Sequence, residues 1–362
     1  MKSRLLYLMH VDWSWIKQRP HFIAETLSTE YDLFVFYAVS RKRKSLTANN
    51  SLVKRWPMVL LPFSLPLVDF SVKLLYRLFF SVVLAVLRPT VIWITHPRLF
   101  EYLPPRAIVG RALIYDCMDD ATAFPGTTEY HDEIVLFEQS LLRRADCVFC
   151  SSENLRSKLI GRGCDSTKIR IVRNAYDGHK LSSAEVLTQS DAVYKICYFG
   201  TISVWVDFEV LLFSLERISA LEYHFYGPSE IALPEHPRLI FHGTIDHENL
   251  YRCAGVYDCF ILPFRVTPLV ESVDPVKLYE YINLARPVIS IRYAEIERFR
   301  DFVYFYDGTE SLLEAISLAR QQGKAKYTAE QRLSFLERNS WERRGVDILL
   351  SMNDIEEKLH LK

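Results

Sequence analysis

The chain has 362 residues, 49% hydrophobic and 24% charged, with 44 basic and 44 acidic side chains. This composition excludes a disordered or low-complexity polymer, and the length accommodates two domains that each bury a core. Seven cysteines without a repeated short spacing exclude a disulfide framework and suit a reducing cytoplasm.

The net charge of zero conceals an asymmetry. Residues 1–180 hold 25 Lys+Arg against 17 Asp+Glu, and residues 181–362 hold 19 against 27, so the halves carry +8 and −8. A basic front half points either to an anionic partner (a membrane surface, a lipid-linked phosphate, an anionic glycan) or to attraction between the halves. Residues 1–10 show no signal-peptide pattern and are expected to form the first strand.

Residues 4–9 read as strand one. The turn after it, His10-Val11-Asp12-Trp13-Ser14-Trp15, has no glycine, whereas a dinucleotide-binding unit wants G-x-G-x-x-G there. That counts against a dehydrogenase. Gln18-Arg19-Pro20-His21 then opens a helix carrying Phe22, Ile23 and Leu27, and residues 33–38 form the second strand. The basic run Arg41-Lys42-Arg43-Lys44, followed by Lys54-Arg55-Trp56, reads as a solvated loop or as a membrane-surface patch. Residues 60–87 are strongly apolar but contain Asp69, Lys73 and Arg77. Their uninterrupted apolar run, 78–87, covers only about half a membrane span, so a buried or interfacial helix is expected.

Residues 90–95 form a strand ending at His96-Pro97, and residues 112–115 another ending in Asp116-Cys117-Met118-Asp119-Asp120. Chemistry in an open parallel sheet gathers at the carboxyl ends of strands. An attacking hydroxyl needs a base or a hydrogen-bond acceptor, and Asp119, Asp120 or His96 stands in the right place; the other reading is that the carboxylates cap the next helix or bond loop backbone. Cys147 and Cys150, three apart on a strand, face opposite sides and do not share a metal. Residues 151–154 start a serine-capped helix, 169–172 form a short strand, and 179–193 read as an interdomain linker.

The alternation then repeats. Strand 195–199 is followed by Gly200-Thr201, strand 222–226 by Gly227-Pro228, strand 238–241 by His242-Gly243, and strand 258–262 by the most informative stretch of the chain. That stretch, LPFRVTPLVESVDPVKLYEYINLARPVISI over 262–291, reads as a polar loop, a helix over 275–285 capped by Asp274, and a strand over 288–291. Arg265, Lys277 and backbone donors are offered to an anion, and Glu271 and Glu280 to hydroxyls. That combination suits a nucleotide diphosphate-sugar. Residues 303–305 form a last strand, and the tail from 328 is helical.

The segment P-V-K-L-Y-E-Y-x-N-x-x-R-P-V-I-S at 275–290 resembles the nucleotide-sugar segment of retaining GT-B glycosyltransferases related to family 4, of the bacterial polysaccharide and teichuronic-acid type. Y-D-C-x-D-D at 115–120 and the N-x-x-D turn at 174–177 are similar to the same family. The resemblance implies an α/β GT-B fold: two Rossmann-like doubly wound domains facing a cleft, with C-terminal helices crossing back to the first. The expected divisions are 1–180, 181–340 and 341–362. The implied donor set is Gly200, Thr201, Gly243, Arg265, Ser272, Val273, Lys277, Leu278 and Glu280. Trp13, Trp15, Gln18 and Arg19 are implied as acceptor contacts, and Asp119, Asp120, Glu271 and His96 as the catalytic set.

The chain departs from the family pattern twice. An arginine–lysine pair usually follows the strand at 195–199, and none occurs before Arg217; the cationic role therefore moves to Arg265 and Lys277. The pattern E-x7-E places an acid at 272, where Ser272 stands. Either Glu271 shifts in to contact the sugar, or backbone amides of 272–274 do that work. The expected activity is metal-independent, cofactor-free transfer of a sugar to a glycan or lipid-linked acceptor in bacterial surface polysaccharide assembly, in the cytoplasm or on the inner membrane face, with no nucleic-acid partner. The alternatives are a nucleotide-sugar epimerase or hydrolase, and a non-catalytic nucleotide-sugar-binding subunit.

Overall fold

Thirteen short strands lie among the described residues, and most read as unbroken apolar runs. That pattern requires burial on both faces, and every pairing is parallel. The computed structural model describes residues 2–39, 53–59, 66–124, 127, 130–178, 193–245, 249 and 255–360. The chain divides into two units, one of residues 1–173 with 341–362 and the other of residues 174–340. The expected linker, except residue 193, lies outside the described residues.

The first unit is a seven-stranded sheet of β1 (Arg4–Met9), β2 (Asp32–Ala38), β3 (Lys54–Met58), β4 (Val91–Ile94), β5 (Ala112–Cys117), β6 (Cys147–Cys150) and β7 (Ile169–Ile171). Their order is β3-β2-β1-β4-β5-β6-β7. It carries α1 (Arg19–Glu30), α2 (Pro66–Leu87), α3 (Pro97–Phe100), α4 (His131–Arg144) and α5 (Glu153–Gly161). β3 corrects the sequence reading, which placed 54–56 in a loop or surface patch. It is an edge strand, the position at which Pro57, lacking an amide proton, is tolerated. The basic run Arg41–Lys44 lies outside the described residues.

The second unit is a six-stranded sheet of β8 (Tyr194–Phe199), β9 (Leu221–Tyr226), β10 (Leu239–Phe241), β11 (Cys259–Leu262), β12 (Val288–Ile291) and β13 (Tyr304–Tyr306). The order is β10-β9-β8-β11-β12-β13. Its helices are α6 (Phe208–Arg217), α7 (Val276–Asn283), α8 (Thr309–Gln322) and α9 (Ala329–Arg338). The last helix, α10 (Trp341–His360), belongs to the first unit, where Trp341 stacks on Phe22 of α1 at 4.7 Å between centroids.

Both sheets are doubly wound. In the first the strand order reverses between β1 and β4, and in the second between β8 and β11. The carboxyl ends of those paired strands are the topological switch points, where connections diverge and leave a crevice for a ligand.

Candidate active site

At the second unit's switch point β8 runs into Gly200 and β11 into Pro263. The two following loops are laced together. The Asp207 amide donates to the Pro263 carbonyl at 2.8 Å and the Arg265 amide to the Trp205 carbonyl at 2.7 Å. Gly200 has φ +146°, and Gly227, after β9, has φ +141°. The Gly200 amide donates to the Tyr226 carbonyl, and the Gly227 amide to the Gly243 carbonyl, both at 2.8 Å. A Cβ on Gly227 would lie 2.0 Å from the Gly200 carbonyl oxygen, so backbone fills the space a side chain would need. A Cβ on Gly200 would lie 2.8 Å from Lys277 Cε. The lysine of α7 thus lies directly over the glycine that ends β8.

Lys277 Nζ is 3.1 Å from Glu280 Oε2, one turn along the same helix face, and 5.4 Å from the Phe199 ring centroid. Glu280 is buried and Lys277 half-buried. Pro275 stands at the N-cap of α7, where no side chain caps the helix, so its positive end is not neutralised locally. Asp274 was expected to be that cap, and the structure corrects this. Its carboxylate is buried and paired with Arg298, and it accepts from the Asn174 amide at 2.7 Å and from the Tyr279 hydroxyl at 3.3 Å. Arg298 therefore offsets a charge that would otherwise oppose an anion at the helix start.

Other members of the expected donor set lie elsewhere. Arg265 is half-exposed and held by Asp207 at 3.3 Å and Glu209 at 3.4 Å, so its charge is largely committed. Ser272 is fully buried, with its hydroxyl donating to the Pro268 carbonyl and its amide to the Leu269 carbonyl. The Val273 amide donates to the Val270 carbonyl. Both amides are consumed by the 3-10 turn Val270–Ser272, which corrects the idea that they face a ligand. Leu278 is core, fully buried in the second unit. Glu271 is exposed on the same turn, Gly243 is exposed, and the Thr201 carbonyl accepts from the Tyr198 hydroxyl at 2.8 Å.

At the first unit's switch point stand His10, after β1, and His96, after β4, with ring centroids 5.3 Å apart. Burial lowers the pKa of His10 to about 4; burial, with His10 and Arg98 adding to it, lowers that of His96 to about 3. Both imidazoles are neutral at physiological pH. His10 Nδ1 is 2.7 Å from the Thr95 hydroxyl, and His96 Nδ1 accepts from the Arg98 amide at 3.2 Å as the N-cap of α3. A lowered pKa weakens His96 as a base, so of its two expected roles, base or hydrogen-bonding group, the second fits its surroundings better.

One strand over, β5 delivers Asp119 and Asp120 into contrasting environments. Asp119 is half-buried, and desolvation raises its carboxyl to about 6, against a smaller lowering by Arg19 and a further rise from Asp116 and Asp120. Asp120 is lowered to about 2 although burial opposes this. Lys158 contacts it at 2.9 Å, Arg162 at 3.0 Å and the Thr122 hydroxyl at 2.7 Å, and Arg162 also binds the buried Glu138 at 2.5 Å. Asp120 is therefore a structural ion-pair member, and the expectation of a catalytic role is corrected. Arg19 is corrected likewise: it is buried, paired with Asp116 at 2.7 Å, and donates to the Val172 carbonyl, so it is not available to an acceptor. Trp13 is core, packed on His21 at 5.0 Å. Trp15 and Gln18 are partly buried; the Gln18 amide donates to His21 Nδ1 at 3.1 Å at the start of α1.

No family model matches the chain. Among curated proteins it is 22% identical over 214 residues to TuaH of Bacillus subtilis (strain 168), provisionally named a teichuronic acid biosynthesis glycosyltransferase. The match covers 54% of this chain and 54% of that protein, so the aligned part spans about half the length of the curated relative. Solved structures match over far more of the chain. Anabaena HepE in complex with UDP superposes with a TM-score of 0.70 at 13% identity, covering 97% of this chain and 100% of that one. Sucrose-phosphate synthase from Thermosynechococcus elongatus gives 0.70 at 14%, covering 99% of each.

The fold is GT-B.

Within that GT-B framework, three residues escaped the sequence reading of the candidate site. Gly227 was taken only as the end of a strand, yet its contact with Gly200 shapes the floor beneath Lys277. The available signal was the recurrence of a glycine directly after successive strands, Phe199-Gly200, Tyr226-Gly227 and His242-Gly243. His10 was missed too, although Met9-His10 ends β1 as Thr95-His96 ends the region of β4. Arg298 carried no local signal, because its partner Asp274 lies 24 residues earlier.

Proposed function

We propose that this chain is a glycosyltransferase that moves a sugar from a nucleotide diphosphate to a hydroxyl of a glycan or lipid-linked acceptor. The observation that carries the reading is the packing of Lys277 over Gly200 at the switch point of the second unit, with Glu280 beside it and the uncapped start of α7 adjacent. The ammonium and the helix-start amides stabilise the diphosphate as negative charge develops on departure of the sugar, and Glu280 accepts hydrogen bonds from ribose hydroxyls. Retention of configuration, metal independence, a role in bacterial surface polysaccharide assembly and action at the cytoplasmic face belong to the same proposal. In the first unit Asp119, with a carboxyl that titrates near neutrality, accepts the proton of the acceptor hydroxyl or orients it.

UDP is the first nucleotide to test, because HepE was crystallised with it. Thermal unfolding with UDP, GDP, ADP and CDP should show clear stabilisation by one base. Consumption of a UDP-sugar that depends on added acceptor supports transfer. Consumption without acceptor indicates a hydrolase or epimerase, and binding without any consumption indicates a non-catalytic subunit.

A further inference from the structure

Asp274 stands directly before the N-cap of α7, and its side chain is fully buried. A carboxylate there sits at the positive end of the helix and opposes the field that an incoming anion would meet, and burial leaves its charge poorly screened by salt. The position is nonetheless fixed from two sides. The amide of Asn174, the first residue of the second unit, donates to Asp274 Oδ2, and the Asn174 side-chain amide donates to the Asp274 carbonyl, both at 2.7 Å. The Tyr279 hydroxyl of α7 lies 3.3 Å from each carboxylate oxygen. Asp274 thus ties the start of the second unit to the turn from which Lys277 projects. Arg298, in the 3-10 segment Ala294–Phe299 after β12, binds the same carboxylate and donates to the Tyr279 hydroxyl at 2.9 Å. Its guanidinium carbon is 4.3 Å from the Phe299 ring centroid and 5.6 Å from that of Tyr279, so two aromatic rings hold it beside Asp274. Glu295, also buried, attracts Arg298 more weakly than Asp274 does.

We infer that Arg298 is a positioning residue for the diphosphate: it cancels the Asp274 charge and so keeps the start of α7 open to an anion, acting through Asp274 and not on the ligand. The inference rests on the donor-site reading above and deepens it. An ion pair that only stabilised the fold would be indifferent to the charge of the ligand. One that cancels a neighbouring charge acts on each ligand in proportion to the charge that ligand carries. Left without Arg298, Asp274 repels a nucleoside diphosphate most, a monophosphate less and an uncharged nucleoside not at all.

Isothermal titration of the full chain with UMP and UDP, and competition against UDP for uridine, read that dependence; if another base stabilises the chain in the thermal screen, its series is used. In Arg298→Met, UDP binding should weaken at least about tenfold, UMP binding less, and uridine binding less than about twofold. Asp274→Asn/Arg298→Met removes the stranded charge and should bring UDP affinity back to within about threefold of wild type. Arg298→Lys keeps the charge and should also stay within about threefold. Breaking a buried pair from one side destabilises the fold, so Asp274→Asn alone is the second measure: with Arg298 no longer neutralised, it should bind UDP about two- to fivefold more tightly than wild type. Equal losses for uridine, UMP and UDP in Arg298→Met, or no recovery in the double variant, overturn the inference and leave the donor site standing. If Arg298→Met does not fold, Asp274→Asn decides, and UDP affinity no better than wild type overturns the inference. If wild type binds no nucleotide, the donor-site reading falls and the inference falls with it.

Discussion

Lys277→Ala is the sharpest perturbation of the proposed donor site. In the structure its ammonium is 3.1 Å from Glu280, and its stem lies against Gly200. Two unit charges about 4 Å apart near a protein surface attract by ~4 kcal/mol. Part of that is already committed to Glu280, so the net contribution to a bound diphosphate is that of one charge-assisted hydrogen bond, about 1.5–3 kcal/mol. Affinity should fall by roughly 10- to 150-fold. At a nucleotide concentration 100 times the wild-type Kd, wild type gains about 2.7 kcal/mol of stability. A variant weakened ~100-fold sits at its own Kd there and gains only about 0.4 kcal/mol. Isothermal titration and thermal unfolding with and without UDP measure both quantities. Lys277→Met keeps most of the stem and removes the charge, and should bind as poorly as the alanine variant. Wild-type affinity in either variant, with an unchanged unfolding midpoint in the absence of nucleotide, would refute the assignment of the diphosphate to this position.

Three further outcomes are expected. Asp119→Asn should abolish most transfer, and wild-type turnover should rise with pH through about 6 as that carboxyl ionises. Because burial raises the folded pKa above its ordinary 3.8, ionisation costs the native state stability as pH climbs from about 4 to 6. Above that window the asparagine variant should therefore be more stable by about 1–3 kcal/mol in denaturant titrations, and equal stability would place Asp119 in water. For His96 the sign is reversed. Its folded pKa is about 3 against an ordinary 6.5, so the unfolded chain takes the proton first and wild-type stability falls as pH drops below about 6.5. His96→Asn keeps an N-cap acceptor for Arg98 and should flatten that acid limb in unfolding measured across the window. Gly227→Ala should cost more than about 3 kcal/mol, since its Cβ meets the Gly200 carbonyl at 2.0 Å. Gly243→Ala, strained only by its φ of +75° with open space around it, should cost nearer ~1 kcal/mol.

The strands were legible because a parallel sheet covered on both faces writes itself as short apolar runs between loops, and the stretch at 258–291 folds as strand, turn, helix and strand. β3 was not legible, because an edge strand facing solvent carries no such run: KRWPM is polar and holds a proline. The position of the candidate site's stretch after β11, at the switch point, was legible, and its proposed members only partly gather there. The contact between Lys277 and Glu280 was legible because an i,i+3 pair is a local property of one helix. Arg19 was misassigned because its role is fixed by Asp116, 97 residues away, a pairing that no spacing rule exposes. Ser272 and Val273 failed for a different reason. The sequence offers their amides, but a single 3-10 turn decides whether those amides face inward.

The pair Asp119–Asp120 shows how one turn separates two identical groups. Desolvation raises both. Asp120 then meets Lys158 and Arg162, which come from α5 and the turn after it, and the attraction of two cations outweighs burial, so it is a permanent anion. Asp119 has only Arg19 in its favour, and Arg19 is already paired to Asp116, whose charge pushes Asp119 the other way. Arg19 and Asp116 act in opposite directions, and burial is the largest influence. A carboxyl poised near 6 is thus produced by burial, with the neighbouring charged groups already engaged in ion pairs of their own. Arg19, although it is not available to substrate, therefore lowers the pH at which Asp119 ionises, while the Asp116 carboxylate paired with it raises that pH and burial makes the larger contribution.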